Sequence, residues 1–365
     1  MLAELFATVT PVDADVAQAA ARRHARLAKP PGSLGRLEGL GGQLAAIAGR
    51  CPPPVPKHPT VIVAAGDHGV HIQDVSDWPQ SITGAMVRTV MAGRAAVNAI
   101  AGTVGAKVIV VDVATVADNR AIDAPDDDVV SGQLVDEPGG GRPAELIEAR
   151  IRAGTRDITR EAAMSHDECI SAIDLGAHVA SRAIAAGADL IALGDLGISN
   201  TTASAALIAA YTGAAPGKVT GPGANLDDRR VARKIDVVTA ALQRHGTDRD
   251  PLGLLASLGG FEHAALVGIV LACAGARVPV VLDGVITGAA ALATAALVPD
   301  ALGYLIAGHV STEPGGTTAL THLGLTPLLD LQLRLGEGTG ALLAVPLLQA
   351  AARTLTEIAL IDDIA

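Results

Sequence analysis

Five short apolar runs rich in β-branched residues punctuate the middle of the chain: Thr60 to Ala65, Lys107 to Asp112, Asp189 to Gly194, Val278 to Asp283 and Tyr304 to His309. None alternates strictly with polar residues, so each predicts a strand buried on both faces. Between them lie alanine-rich stretches at helical spacing, such as Ile82 to Ile100 and His263 to Ala274. Strands alternating with helices predict βα units: an α/β fold with a Rossmann-like parallel sheet flanked by helices. Before residue 50 and after about residue 340 the pattern is helical without strands (Asp13 to Ala28, Ser33 to Ala48, and on to Ile358). These ends predict a small helical domain from residues 1–49 plus 336–365, beside an α/β nucleotide-binding and catalytic domain over 50–335. Pro52 to Pro59 and the Asp-, Gly- and Pro-rich segment Asp123 to Arg142 read as loops.

Composition narrows the class. Half of the 365 residues are hydrophobic, enough for a large core, while aromatics make up only 1% beside 41 glycines. That mixture suits tightly packed helix-on-sheet layers rather than a β-sandwich. The net charge of -11 and the lack of a long Lys/Arg block argue against a nucleic-acid or anionic-membrane surface and for a small-molecule partner. Cys51, Cys169 and Cys273 are odd in number and lack CxxC spacing, so neither a disulfide framework nor a zinc site is expected. Glu4 and Asp13 stand where a signal peptide needs a basic start. The longest apolar runs, such as Val285 to Val298, fall short of the roughly 18 residues a spanning helix needs. A soluble cytoplasmic protein is expected.

In an open parallel sheet, ligands bind beyond the carboxyl ends of the strands. Several apolar runs end in polar residues or glycine there: Gly66-Asp67-His68, Gly194-Asp195, Asp283-Gly284 and Gly308-His309. Gly194 to Thr202 leads from a strand into a helix. Its glycines, Asn200, Thr201 and Thr202 suit a phosphate cradle at a helix start, or an ordinary turn with helix caps. Gly221-Pro222-Gly223-Ala224-Asn225 makes a tight turn, with Lys234 downstream to neutralise an anion; by spacing alone, Lys234 following Arg229, Arg230 and Arg233 reads better as a solvated helix face. Gly308 to Gly316 offers Ser311 for ribose or anion contacts, and a lone His309 better read as a hydrogen-bonded core residue than as a ligand. In Arg334-Leu335-Gly336-Glu337-Gly338-Thr339-Gly340 a glycine-flanked carboxylate is open to a ligand, and apolar neighbours would raise its pKa toward a usable base; a plain helix-entry turn fits the same residues. Asp67 and His68 are adjacent in extended chain and point opposite ways, so a shared metal is not expected. Trp78, the only tryptophan, could wall a flat ring or anchor packing.

Taken together these segments resemble the nicotinate-nucleotide:dimethylbenzimidazole phosphoribosyltransferases of cobalamin lower-ligand assembly. Lys29 to Glu38 (KPPGSLGRLE), AGDHGV at Ala65 to Val70, GxGANL at Gly221 to Leu226, GGFE at Gly259 to Glu262, LDG at Leu282 to Gly284 and RLGEGTGA at Arg334 to Ala341 follow in the family's order, covering about residues 27 to 350. The resemblance implies transfer of phosphoribose from nicotinate mononucleotide to a benzimidazole, without metal or organic cofactor. Glu337 falls where the family's base stands. Asp195, Gly197, Lys234, Ser311 and Arg334, with the Asn200-Thr201-Thr202 turn, fall where the family contacts the nucleotide. Trp78, Met86, Leu196 and Leu335 fall where it walls the aromatic base. A homodimer is implied too.

Three positions depart from the pattern. Asp195 stands where similar proteins usually carry Glu, and Gly316 where they often carry His. Trp78 replaces a smaller aromatic, which leaves adenine, other benzimidazoles and phenolics open beside dimethylbenzimidazole. Two rival readings stay testable. One is a nucleotide sensor without a base. The other is a metal-dependent hydrolase using Asp67, His68, Asp283 and His309.

Overall fold

A computed structural model of the chain describes residues 2–116, 144–224 and 226–364. The loop read over Asp123 to Arg142, and Asn225, lie outside the described residues. Among the described residues six strands form one sheet: β1 Pro59–Gly66, β2 Lys107–Ala114, β3 Glu145–Glu148, β4 Leu190–Leu196, β5 Val280–Leu282 and β6 Leu305–Ala307. Their order is β3-β2-β1-β4-β5-β6, and every pairing is parallel. Five of them coincide with the five apolar runs. β3 has no such run because it is a short edge strand, Glu-Leu-Ile-Glu, with exposed ends.

Helices fill the connections. α1 Leu2–Thr8, α2 Ala14–Arg26 and α3 Arg36–Ala48 precede the sheet; α4 Ser81–Met91 and α5 Ala96–Val104 join β1 to β2, and α6 His166–Ala185 joins β3 to β4. Between β4 and β5 run α7 Asn200–Thr212, α8 Pro216–Val219, α9 Asp228–His245, α10 Pro251–Leu258 and α11 Phe261–Gly275. α12 Val285–Leu297 joins β5 to β6, and α13 Pro314–His322 and α14 Thr339–Glu357 close the chain. The stretch read as helical over Ile82 to Ile100 is two helices, because Gly93 at φ 74 takes a left-handed turn between α4 and α5.

Both faces of the sheet are covered, which explains the missing alternation. On β1, Val61, Val63 and Ala65 join a core with α3, α5 and α14, while Ile62 and Ala64 join one with α6, α7, α11 and α12. α6 and α11 cross so closely that a Cβ on Gly176 or Gly268 would strike the backbone of the opposing helix, at Ala265 and Ile173. At the chain ends, Ala20 of α2, Ala45 of α3 and Leu355 of α14 form a small separate cluster, whereas Ala341, Leu342 and Val345 at the start of α14 pack on the sheet. No helix among the described residues is long and apolar enough to cross a membrane.

The chain leaves β1 for β2 and β3 on one side, then returns to β4 on the other. The connection direction therefore reverses between β1 and β4, and their carboxyl ends must splay the following loops apart. A crevice opens there.

Candidate active site

That crevice is a cavity of about 770 Å³ at the carboxyl ends of β4, β5 and β6, roofed by the segment before α4. Glu337, Asp195, Gly197, Asn200, Thr201, Lys234, Ser311, Arg334, Trp78, Met86, Leu196 and Leu335 all line it. Thr202 does not. Its side chain is fully buried on the core side of α7, because one residue along a helix turns the side chain away from its neighbour's direction. Gly316 also lies outside the lining: it is buried in α13, where an added Cβ would meet Ser311 Cβ at 3.2 Å.

The turn before α14 has three consecutive left-handed residues, Gly336 (φ 88), Glu337 (φ 62) and Gly338 (φ 84). A non-glycine residue in this conformation costs on the order of 1 kcal/mol and persists only where its surroundings hold it. They do here. The turn lies directly on β4, where a Cβ at Gly194 would come within 2.6 Å of the Glu337 carbonyl oxygen, so a side chain at 194 would push the carboxylate out of place. Glu337 N–H donates to the Asp195 carbonyl at 3.3 Å. Its carboxylate is buried, and Oε2 accepts from Val97 N–H at the start of α5 at 3.1 Å. Burial raises the Glu337 pKa above the ordinary glutamate value; the Val97 contact pulls it back, and the charge of Asp283 pushes the same way as burial.

Two more buried carboxylates stand near it. Asp283 Oδ1 accepts from Gly340 N–H at 2.7 Å and Ala341 N–H at 3.0 Å, capping α14, and lies 3.4 Å from His309 Nε2. Burial works to lower the His309 pKa, but its Asp283 and Val310 contacts outweigh that and raise it. Asp195 Oδ2 accepts from Asn200 Nδ2 at 3.0 Å, whereas Oδ1 has no hydrogen-bond partner in the protein. Burial first, then the charges of Asp283 and Glu262, hold the Asp195 pKa well above the usual aspartate value. That favours a protonated Asp195, able to donate to a ligand.

Another part of the lining gathers groups that suit an anion. α7 starts at Asn200, after Ser199, which is left-handed (φ 76) and makes no side-chain cap; Ser199, Asn200 and Thr201 line the cavity, and the start of a helix favours an anion. The expectation that Asn200 and Thr201 cap this helix is corrected: both lie within its first turn. Lys234 Nζ donates to Thr201 Oγ1 at 2.8 Å and to the Gly221 carbonyl at 3.0 Å. Lys234 is only 1% exposed, which overturns the solvated-face reading that spacing alone favoured. α9 is amphipathic, and 234 falls on its inner side with Val237, Val238 and Ala241. Burial lowers its pKa to about 8, and nearby Glu313 partly offsets this. Glu313, which the motifs did not single out, is buried and accepts from Gly223 N–H at 2.8 Å, tying the glycine turn to α13.

The third side is apolar and loosely held. Trp78 and Leu335 are 50% and 58% exposed, and with Met86 and Leu196 they give the cavity an apolar wall. Flat rings bind such walls through area and exclusion of water.

Behind the site lies a group that sequence reasoning used only as part of a motif block. His68 Nε2 and His263 Nδ1 lie 2.8 and 2.7 Å from Glu262 Oε1, all three side chains fully buried. Among the described residues this is the trio that could hold a metal ion. His68 Nε2 is hydrogen-bonded to that oxygen, while His263 Nδ1 lies at ion-pair distance from it without a hydrogen bond's alignment. His263 Nε2 continues to Ser204 Oγ at 2.8 Å, bracing the first turn of α7. The signal was present in GGFE followed by His263, but a buried ion pair needs partners from two distant segments to become visible. The four residues of the hydrolase reading do not assemble: Asp67 accepts from Thr83 at 2.6 Å, His68 faces Glu262, and Asp283 pairs with His309.

An uncapped helix start, a buried lysine and a buried, uncrowded carboxylate around one cavity define an α/β enzyme acting on an anionic, ring-bearing substrate. A family described as phosphoribosyltransferase matches residues 9–364, and the chain belongs to that family. It is 52% identical over 365 residues to the nicotinate-nucleotide--dimethylbenzimidazole phosphoribosyltransferase of Salinispora tropica, covering 100% of this chain and 98% of the relative. The protein of the same name from Chloroflexus aggregans is 46% identical over 360 residues, covering 98% and 96%. A crystal structure of the nicotinate-nucleotide-dimethylbenzimidazole phosphoribosyltransferase from Thermus thermophilus matches with a TM-score of 0.85 at 41% identity, covering 96% of this chain and 98% of that one. The resemblance carried by the ordered motifs and the parallel α/β fold are both borne out.

Proposed function

We propose that this protein transfers the phosphoribosyl group of nicotinate mononucleotide to 5,6-dimethylbenzimidazole or a related aromatic base, giving α-ribazole 5'-phosphate and nicotinate in cobalamin nucleotide-loop assembly. The observation that carries the reading is Glu337: a buried carboxylate of raised pKa, held in a left-handed turn on the cavity wall. The phosphate sits at the start of α7 against Lys234, with Asn200, Thr201, Gly197, Ser311 and Arg334 contacting phosphate and ribose. Thr202 supports that turn from the core side without touching ligand. Asp195 turns its unpartnered Oδ1 to the ribose, and its proton is donated there. Trp78, Met86, Leu196 and Leu335 grip the incoming ring.

The chemistry needs little from the protein. The C1'–N bond to nicotinate breaks, and its electron pair stays on a pyridine nitrogen that goes from cationic to neutral, so no general acid is required. A new C1'–N bond forms to the benzimidazole, whose N–H proton passes to Glu337. The raised pKa brings Glu337 closer to the proton it must accept. Holding both substrates in one crevice supplies much of the remaining rate by orientation.

We also read the protein as a cytoplasmic homodimer with small molecules as its substrates and no nucleic-acid partner or cofactor. The net charge of -11 and the alanine-rich helix surfaces support this. The packing of Ala20, Ala45 and Leu355 supports reading 1–49 with 336–365 as a small helical domain. The deciding experiment incubates the protein with nicotinate mononucleotide and a panel of benzimidazoles, purines and phenolics, with and without chelator, and identifies products by mass. Absence of any phosphoribosylated base would sink the reading, and turnover abolished by chelator would return the metal-dependent one.

A further inference from the structure

Trp78 stands on a segment, 74–78, that belongs to no helix or strand, and half of its side-chain surface is exposed. Such a residue does not hold a ring-binding wall in place by its own packing. Val75 anchors the segment in the core, and the ion pairs to its side chains, which fix the part carrying Trp78, come from α9. Arg230 pairs with Asp77 and, at 3.5 Å, with Asp74. One turn along, Arg233 Nε donates to the Gln73 carbonyl at 2.6 Å, and the Gln73 amide in turn donates to Asp157 Oδ2 at 2.7 Å. Asp74 itself is left-handed (φ 57), a conformation that persists when neighbours over-determine it. The residue after Arg233 is Lys234, directed to the other side of the same helix and bonded to Thr201. One rigid helix thus touches the wall on its outer side and the anion pocket on its inner side.

We propose that Arg230 and Arg233 are positioning residues that set the place of the Trp78 wall, and with it the discrimination among aromatic bases, in register with the phosphate site. The proposal deepens the function given above and rests on it. Neither arginine lines the cavity. Exposed ion pairs are individually weak, and the expected effects are several-fold rather than abolition.

The test compares the full-length protein with Arg230→Met, Arg233→Met, the double variant and the conservative Arg230→Lys. In the double variant the KM for dimethylbenzimidazole should rise about 3- to 10-fold and its preference over adenine should shrink, while the KM for nicotinate mononucleotide and kcat at saturating base stay within about twofold. Arg230→Lys should recover part of the loss. Because Trp78 is the only tryptophan, its fluorescence reports the wall without turnover. Acrylamide quenching should increase in the double variant, and added salt should move the wild-type protein toward it. An unmoved base KM, a parallel rise of both KM values, or unchanged quenching would overturn the proposal. If the wild-type protein modifies no base at all, the functional reading fails, and quenching alone still decides whether α9 holds the wall.

Discussion

The two ends of the cavity are built on opposite plans. Around the proposed anion pocket Lys234 and Glu313 are buried, sit on helices or their caps, and both bond to the Gly221–Gly223 turn. Around the ring slot Trp78 and Leu335 are half exposed or more and sit on irregular segments. Charge explains the difference. A desolvated cation costs several kcal/mol unless its partners are fixed in advance, so a phosphate pocket built on Lys234, as proposed, needs rigid surroundings. A flat apolar ring is held by area, which tolerates small displacements, so the ring end can vary without loss of the fold.

The comparison can be broken hardest at Glu337, the proposed base. Glu337→Gln should lose roughly 10²-fold or more in kcat and bind nicotinate mononucleotide within a few-fold of wild type, measured by single turnover and by titration. Full turnover in that variant would remove the base from the mechanism. At the anion end, Lys234→Met should lower kcat/KM for the nucleotide about 10- to 100-fold, the worth of one or two charge-assisted hydrogen bonds. The KM for the aromatic base should hardly move.

The same two residues frame a pH profile. Lys234, lowered to about 8, loses its charge as pH rises through that value in the free enzyme, so kcat/KM for the nucleotide should decline on the alkaline side. Glu337 must be ionised to accept a proton, and its raised pKa places the acid limb above the ordinary glutamate range. Lys234→Met should flatten the alkaline limb and leave the acid limb; an alkaline limb that survives would assign it elsewhere.

Behind both ends, Glu262→Gln should destabilise the protein by about 3 kcal/mol, read as a fall in Tm of several degrees, since it leaves two buried histidines without their anion. Glu262 is depressed below its unfolded value near 4.5 by His68 and His263 despite burial, so its contribution is present above that value and lost as pH falls toward the folded one. His68 is raised above 6.5 because Glu262 and Asp67 outweigh its burial, so its contribution is full below 6.5 and lost as pH rises through the folded value. The Tm gap between wild type and Glu262→Gln should therefore peak between those limits. A gap independent of pH would contradict the ion pair. Trp78→Ala should be mildest: a several-fold higher KM for dimethylbenzimidazole, relaxed choice among rings and an unchanged nucleotide KM.

How much was readable in advance follows the same division. The five buried strands were visible because a parallel sheet covered on both faces writes continuous apolar runs; β3 was not, because four residues with glutamates at both ends leave no run. Glu337 was visible through its two glycines, which exist to let three successive residues turn left-handed. Lys234 was misread by spacing, since three arginines of α9 precede the one inward-facing cation. Glu313 and Val97 N–H gave no local signal, and GGFE followed by His263 gave only half of one, because each matters through a partner 90 to 240 residues away.

What the amino-acid sequence determined by itself is the inventory: an α/β chain with strands ending in polar residues, glycine turns at the positions where backbone must approach, and one carboxylate left uncrowded between glycines. Those are local properties, set by side-chain period, steric freedom and helix or strand propensity over a few residues. Which of those residues share a site was decided by the tertiary structure alone. The switch in the direction of the connections between β1 and β4 opens the crevice, and only the packed fold desolvates Glu337, Asp195 and Lys234 enough to shift their protonation. Burial is a property of the whole assembly, and no stretch of sequence carries it.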